Sequence, residues 1–274
     1  MKKILVPCDF SAPAIEAFRF AVSLAREPAT EIYVLHVIDI TFLHGNPSLS
    51  QSFAFNLNFL REMETEADNK FQAMWEKYAA ITLPVKFEHR IGSLLPDIQK
   101  EVADKDIDLV IMGTGGSHGA VWGSNTEKVI RYVSVPVFAI RKMPGKPVAN
   151  IVFPVVPSQT GKKFVDELKK IQGFFGSRLH LLWVNTPGIF KTDAEARADL
   201  KQFVAEFNLD SYTINIRSDY AVELGILQFA RESDAQLIAM GTHQRKGLAH
   251  FFLGSNAEDI AKDTSLLLWT YPVR

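Results

Sequence analysis

The chain repeats itself, and the repeat constrains its fold more than any other feature of the sequence. Ile4-Leu5-Val6-Pro7 returns as Ile151-Val152-Phe153-Pro154, an offset of 147. At that offset Ser11 falls on Ser158, Leu24 on Ile171, Leu35 on Leu182 and Val37 on Val184. The run from Asp108 to Thr114 matches the run from Gln236 to Thr242 at an offset of 128. Gly123-Ser124-Asn125 and Glu127 match Gly254-Ser255-Asn256 and Glu258 at an offset of 131. Three blocks kept in order mark a tandem duplication. The fall from 147 to 128 makes the first copy 19 residues longer between its second strand and its glycine loop. Most of that excess lies in a polar, Phe-studded insertion at 41–58. The rise to 131 gives the second copy three more residues inside the loop. Gly145 to Ala149 reads as the linker, which divides the chain into copies at 1–144 and 148–274.

Within each copy, short apolar runs alternate with helical patterns, as βαβ units of a parallel sheet do. Ile4–Pro7, Ile32–Val37, Leu109–Met112 and Val137–Ile140 read as strands buried on both faces. Ile15, Phe18, Val22 and Ala25 recur at helical spacing, and so do Leu60, Met63, Ala67, Phe71, Met74 and Tyr78. The aromatic stripe of that second helix reads as core. The expected fold is α/β: two tandem copies of an open, doubly wound five-stranded parallel-sheet domain.

Composition removes several classes of function. A net charge of −1 offers no long-range attraction for nucleic acid or anionic membrane. Lys162, Lys163, Lys169 and Lys170 enclose Asp166 and Glu167, as a solvated helix face does. The single cysteine, Cys8, sits in an apolar strand and cannot form an internal disulfide. The N-terminal residues enter a strand directly, without the apolar region and cleavage site of a secretory leader. No run approaches the ~20 apolar residues of a membrane helix. The expected compartment is the cytoplasm.

In an open parallel sheet, ligands bind beyond the strands' carboxyl ends where the strand order reverses. Asp9 stands at such an end, able to accept hydrogen bonds from an amine or hydroxyl. It also fits a turn aspartate that satisfies nearby backbone amides, and position alone does not separate the two. Ser11 is placed to cap the first helix. Gly113-Thr114-Gly115-Gly116-Ser117-His118-Gly119 follows the fourth strand, and its glycines let backbone N–H groups approach a ligand. Gly123-Ser124-Asn125-Thr126 opens a helix, whose free N–H groups make an anion site. A flexible crossover and a plain cap are the bland alternatives.

No GxxxxGK[ST], GxSxG, HExxH or paired-cysteine motif occurs. The glycines follow the fourth strand, whereas a dinucleotide fingerprint follows the first. His36 and His180 lie in strand runs and read as structural. His118, in the glycine loop, is the histidine to watch.

Strand, Asp, glycine loop and Gly-Ser helix start, in that order, resemble the universal stress protein family. The resemblance covers both halves outside the insertion, and its fold is adenine nucleotide alpha hydrolase-like. ATP-binding members carry Gly-x2-Gly-x9-Gly-[Ser/Thr] after the fourth strand and an Asp after the first. The resemblance implies an adenine contact at Asp9, with Pro7 and Cys8 lining the base and Val37 and Met112 completing the pocket. Gly113, Gly116, Gly123, Ser124, Asn125 and Thr126 would surround ribose and phosphates. The implied ligand is ATP or AMP, bound without turnover and without a required metal. The implied partners are the two copies themselves, paired through their last strands, and a homodimer.

This chain departs from the pattern twice. Six residues, not nine, separate Gly116 from Gly123, which shortens the arch over the phosphates. The second copy keeps the nine-residue spacing but has Gln244 for the second glycine and Val156 for the Asp, so it is expected to be degenerate. His243, Arg245 and Lys246 could still hold an anion there. A nucleotide-free scaffold with a docking insertion is the second reading, and an adenine-nucleotide hydrolase the third.

Overall fold

The computed structural model describes residues 2–25, 29–39, 53–79, 83–115, 124–242 and 266–272. The first copy runs β1 (Lys3–Pro7), α1 (Ala12–Leu24), β2 (Glu31–Ile38), α2 (Phe53–Tyr78), β3 (Val85–Ile91), α3 (Leu94–Asp104), β4 (Leu109–Gly113), α4 (Ser124–Tyr132) and β5 (Val137–Ile140). The second runs β6 (Asn150–Pro154), α5 (Lys162–Phe175), β7 (Arg178–Asn185), α6 (Asp193–Phe207), β8 (Tyr212–Ser218), α7 (Val222–Glu232), β9 (Leu237–Gly241) and β10 (Leu267–Tyr271). All ten strands join one sheet in the order β3-β2-β1-β4-β5-β10-β9-β6-β7-β8. This is the doubly wound α/β architecture, five strands to a copy.

Strand side chains alternate between two cores, because successive residues point to opposite faces. Ile4 and Val6 enter one core with Ala17 and Phe18 of α1, while Leu5 enters the other with Ile98 of α3. These residues are fully buried, and each Leu, Ile, Val or Phe so placed contributes roughly 1.5–3 kcal/mol. On the α1 side, Phe71 of α2 stacks on Phe87 of β3 at 4.3 Å, so the aromatic stripe is core. The helix α2 begins at Phe53, inside the insertion, whose last residues are therefore helical. Residues 41–52 lie outside the described residues.

The pairing within each copy is parallel, and β5 meets β10 antiparallel. Phe138 lies opposite Trp269. These two stand 131 positions apart, the offset that relates the copies at this point. A residue paired with its own counterpart marks a pseudo-twofold axis, the geometry of an isologous contact built inside one chain. The linker is packed down: Met143 N donates to Glu16 Oε2 at 2.8 Å, Val148 is buried, and its carbonyl accepts from Ser177 Oγ.

Candidate functional site

The strand order places β1 between β2 and β4, and the winding reverses between β1 and β4. Pro7 to Asp9, Val37 and Met112-Gly113 therefore share one end of the sheet, at the switch point where such folds bind ligands. The chain turns sharply there. Phe10 takes a left-handed conformation, φ 60°, unusual for a non-glycine residue. Its ring packs on His36 at 5.0 Å and on Phe87 at 6.2 Å, which anchors the turn. Ser11 then caps α1, its Oγ accepting from Ala14 N at 3.4 Å.

Asp9 is exposed, and its Oδ1 accepts from Ser11 N at 3.0 Å. That is a turn bond, two residues on. Oδ2 makes no hydrogen bond among the described residues. Oδ1 therefore fixes the turn, as the turn reading of Asp9 expects.

Cys8 is 3% exposed and lies in the α1-side core, so it borders the site through its backbone. Its N–H donates to Leu35 O at 2.9 Å. Burial pushes the thiol up to about 12, outweighing the hydrogen bond at Phe10 that pulls it down, so the thiol stays protonated. His36 Nδ1 contacts the Cys8 carbonyl at 2.7 Å and must donate there, which commits that ring nitrogen to structure. His180 is similarly held, by Thr213 Oγ1 at 2.8 Å and Asn150 Oδ1 at 3.1 Å. Burial, and then Arg178, hold its pKa below the usual histidine value.

Val37 is half-buried, and Met112 is buried in the α3-side core. Gly113 has a packing reason to be glycine. A Cβ there would lie 2.5 Å from Ala14 N and from Pro13 C, at the first turn of α1. Thr126, in the first turn of α4, is buried, and its Oγ1 donates to Gly113 O at 3.3 Å. Ser124 opens α4 and Asn125 is exposed. Gly116 and Gly123 lie outside the described residues, as do His118 and the 243–265 segment that holds Gln244, Arg245 and Lys246.

Two features escaped the sequence reading. Phe10's positive φ carries no composition signal. Thr114 follows Gly113, is 1% exposed, and its Oγ1 is buried without a hydrogen-bond partner among the described residues. A hydroxyl beside a glycine run at a strand end was the available clue.

The second copy is built differently at the matching place. After β6 the chain makes a short 3₁₀ turn, Pro157–Gln159, and Ser158 caps nothing. The helix α5 starts at Lys162 behind Gly161, with no side-chain cap. A cavity of about 710 Å³ opens near the ends of β7 and β8, beside Asn185, Arg217 and Tyr220. Arg217 is already engaged, with Glu232 at 2.6 Å and with Gln228, so it offers an anion little.

The family model described as Universal stress protein family matches residues 1–141 and again 148–268. A universal stress protein of Methanocaldococcus jannaschii is 31% identical over 144 residues, 52% of this chain and 82% of that protein. A universal stress protein of Synechocystis is 22% identical, covering 99% of this chain and 100% of its own length. The crystal structure of a universal stress protein from Archaeoglobus fulgidus superposes with a TM-score of 0.72 at 19% identity, over 98% of this chain and 96% of that one. Matched twice, across both halves of its sheet, this chain belongs to the universal stress protein family.

Proposed function

We propose that this stress protein binds one adenine nucleotide, ATP or AMP, in its first copy, and does not turn it over. The observation that carries the reading is Asp9: an exposed carboxylate at the switch point with one oxygen unused among the described residues. In this reading Val37 and Met112, at the same end of the sheet, border the base, and the start of α4 offers amides for a phosphate. The second copy has Val156 and a 3₁₀ turn at the matching place, and it serves as the packing partner. The groups flanking Asp9 are committed elsewhere, which supports binding without turnover. The Cys8 thiol is buried and protonated, and His36 is tied to a carbonyl. No metal is required. The protein is proposed to act in the cytoplasm, as a single chain or a homodimer.

The scaffold reading draws on a specific observation: Gly113 and Thr126, two residues of the nucleotide motif, have packing roles of their own. Mass spectrometry of small molecules released from purified protein separates the readings. ATP or AMP at about one per chain supports nucleotide binding. An empty protein that also ignores added nucleotide supports the scaffold.

A further inference from the structure

In the first copy, one histidine meets two carboxylates from a single helix face. Glu64, Asp68 and Phe71 follow one another along α2 at i, i+4 and i+7, so they share one side of the helix. Phe71 fixes that side against β3 by stacking on Phe87 at 4.3 Å. His89 stands two residues beyond Phe87, on the same face of the strand. Its Nδ1 lies 3.9 Å from Glu64 Oε1, and its Nε2 lies 3.6 Å from Asp68 Oδ1.

The other charges on the elements packed around His89 have partners of their own. On α2, Glu66 pairs with Lys70 at 2.5 Å. On β2, His36 is the register partner of His89, and its Nδ1 is spent on the Cys8 carbonyl. On β3 itself, Glu88 and Arg90 point to the opposite face, where they join Lys105 and Glu101 at the end of α3. The second copy lacks the arrangement. The offset of 147 carries His36 onto Trp183, whose partner on β8 is Ile216.

A neutral imidazole has one N–H, so one of the two carboxylates always faces a bare ring nitrogen. A second proton gives each carboxylate a donor. The nitrogens face different carboxylates, a geometry that suits this proton rather than a shared metal ion. Both contacts are longer than a hydrogen bond, which leaves α2 room to close.

We propose that His89 is a proton-operated latch, whose imidazolium bridges Glu64 and Asp68 and tightens α2 onto the edge strand β3. Histidine changes charge between about pH 5 and 8, so the latch works in the physiological range. Its stabilisation is complete where His89 is charged and both carboxylates are ionised. It fades as the pH rises through the histidine range, and again below about pH 4, where the carboxylates take protons.

The imidazole NMR signals of His89 in the full chain, assigned by their loss in His89→Gln, report its charge directly. In Glu64→Gln/Asp68→Asn the titration midpoint should fall by about 0.5–1 pH unit, the worth of two partly exposed ion pairs. Hydrogen exchange reads the helix. Protection factors of the amides at 57–70 should be about three- to tenfold higher at about pH 5.5 than at about pH 8 in the parent, the same coupling seen from the helix. In both variants they should be equal at the two pH values. The side chains of His89, Glu64 and Asp68 are 27, 37 and 60% exposed, so the variants should fold. A midpoint that the double variant leaves at the parent's value overturns the proposal. So does α2 protection that is the same at both pH values in the parent, or a His89→Gln protein that keeps the parent's pH dependence.

Discussion

Gly113 shows how one residue can look like a ligand contact and be required for packing. In the sequence it opens a glycine run, and glycine runs after strands point to phosphates. In the fold its missing Cβ leaves room for the first turn of α1, 2.5 Å from where that atom would be. Gly113→Ala should therefore destabilise the protein by about 1–3 kcal/mol, the usual cost of overpacking a tight site. Denaturant unfolding checks this, and an unchanged midpoint would return Gly113 to a purely ligand-facing role. The sequence could nominate Asp9 because a strand-end carboxylate has a position. It could not reveal that Oδ1 is spent on Ser11 N, since a turn bond depends on Phe10's left-handed backbone. Cys8 was legible as a buried thiol from its apolar strand alone.

At the scale of elements, the buried strands were legible and the outermost ones were not. β1, β2, β4 and β5 are apolar on both faces, whereas β3 and β8 lie at the two edges of the sheet. β3 carries Lys86, Glu88 and Arg90, and its strand identity comes from pairing with β2 rather than from its own pattern. Those charges have a structural use. Glu101 of α3, 1% exposed, accepts from Arg90 and sits 2.8 Å from Lys105, which also pairs with Glu88. Removing the buried carboxylate leaves Arg90 and Lys105 to share Glu88 alone, so Glu101→Ala should cost about 3 kcal/mol. A melting temperature equal to the parent's would refute that role. The shortened glycine loop also acts as an element. With three residues fewer than the family spacing, it should supply amides for the nearest phosphate only, so ATP and AMP should bind within about tenfold, or 1.4 kcal/mol. Calorimetry on ADP, ATP and AMP would show a larger preference for ATP if this reading of the loop is wrong.

For the whole molecule, the repeat foretold two similar halves, and the register shows how they are joined. Phe138 opposite Trp269 places a pseudo-twofold in the middle of a ten-stranded sheet. The seam covers two strand edges that would otherwise be open to pairing. The first copy expressed alone, residues 1–146, should therefore self-associate through β5, and sedimentation would detect this. A stable monomer with freely exchanging β5 amides would contradict it. The difference between the copies was only partly legible, because Val156 was visible but the 3₁₀ turn that follows it was not. Calorimetric titration of the full chain with ATP, beside Asp9→Asn, tests the central claim most directly. Asparagine keeps the acceptor for Ser11 N and removes the charge, so folding should hold while affinity falls by about 1–3 kcal/mol. The account predicts one site per chain, weakened by that single change. Two equal sites, or one that Asp9→Asn leaves untouched, would contradict it.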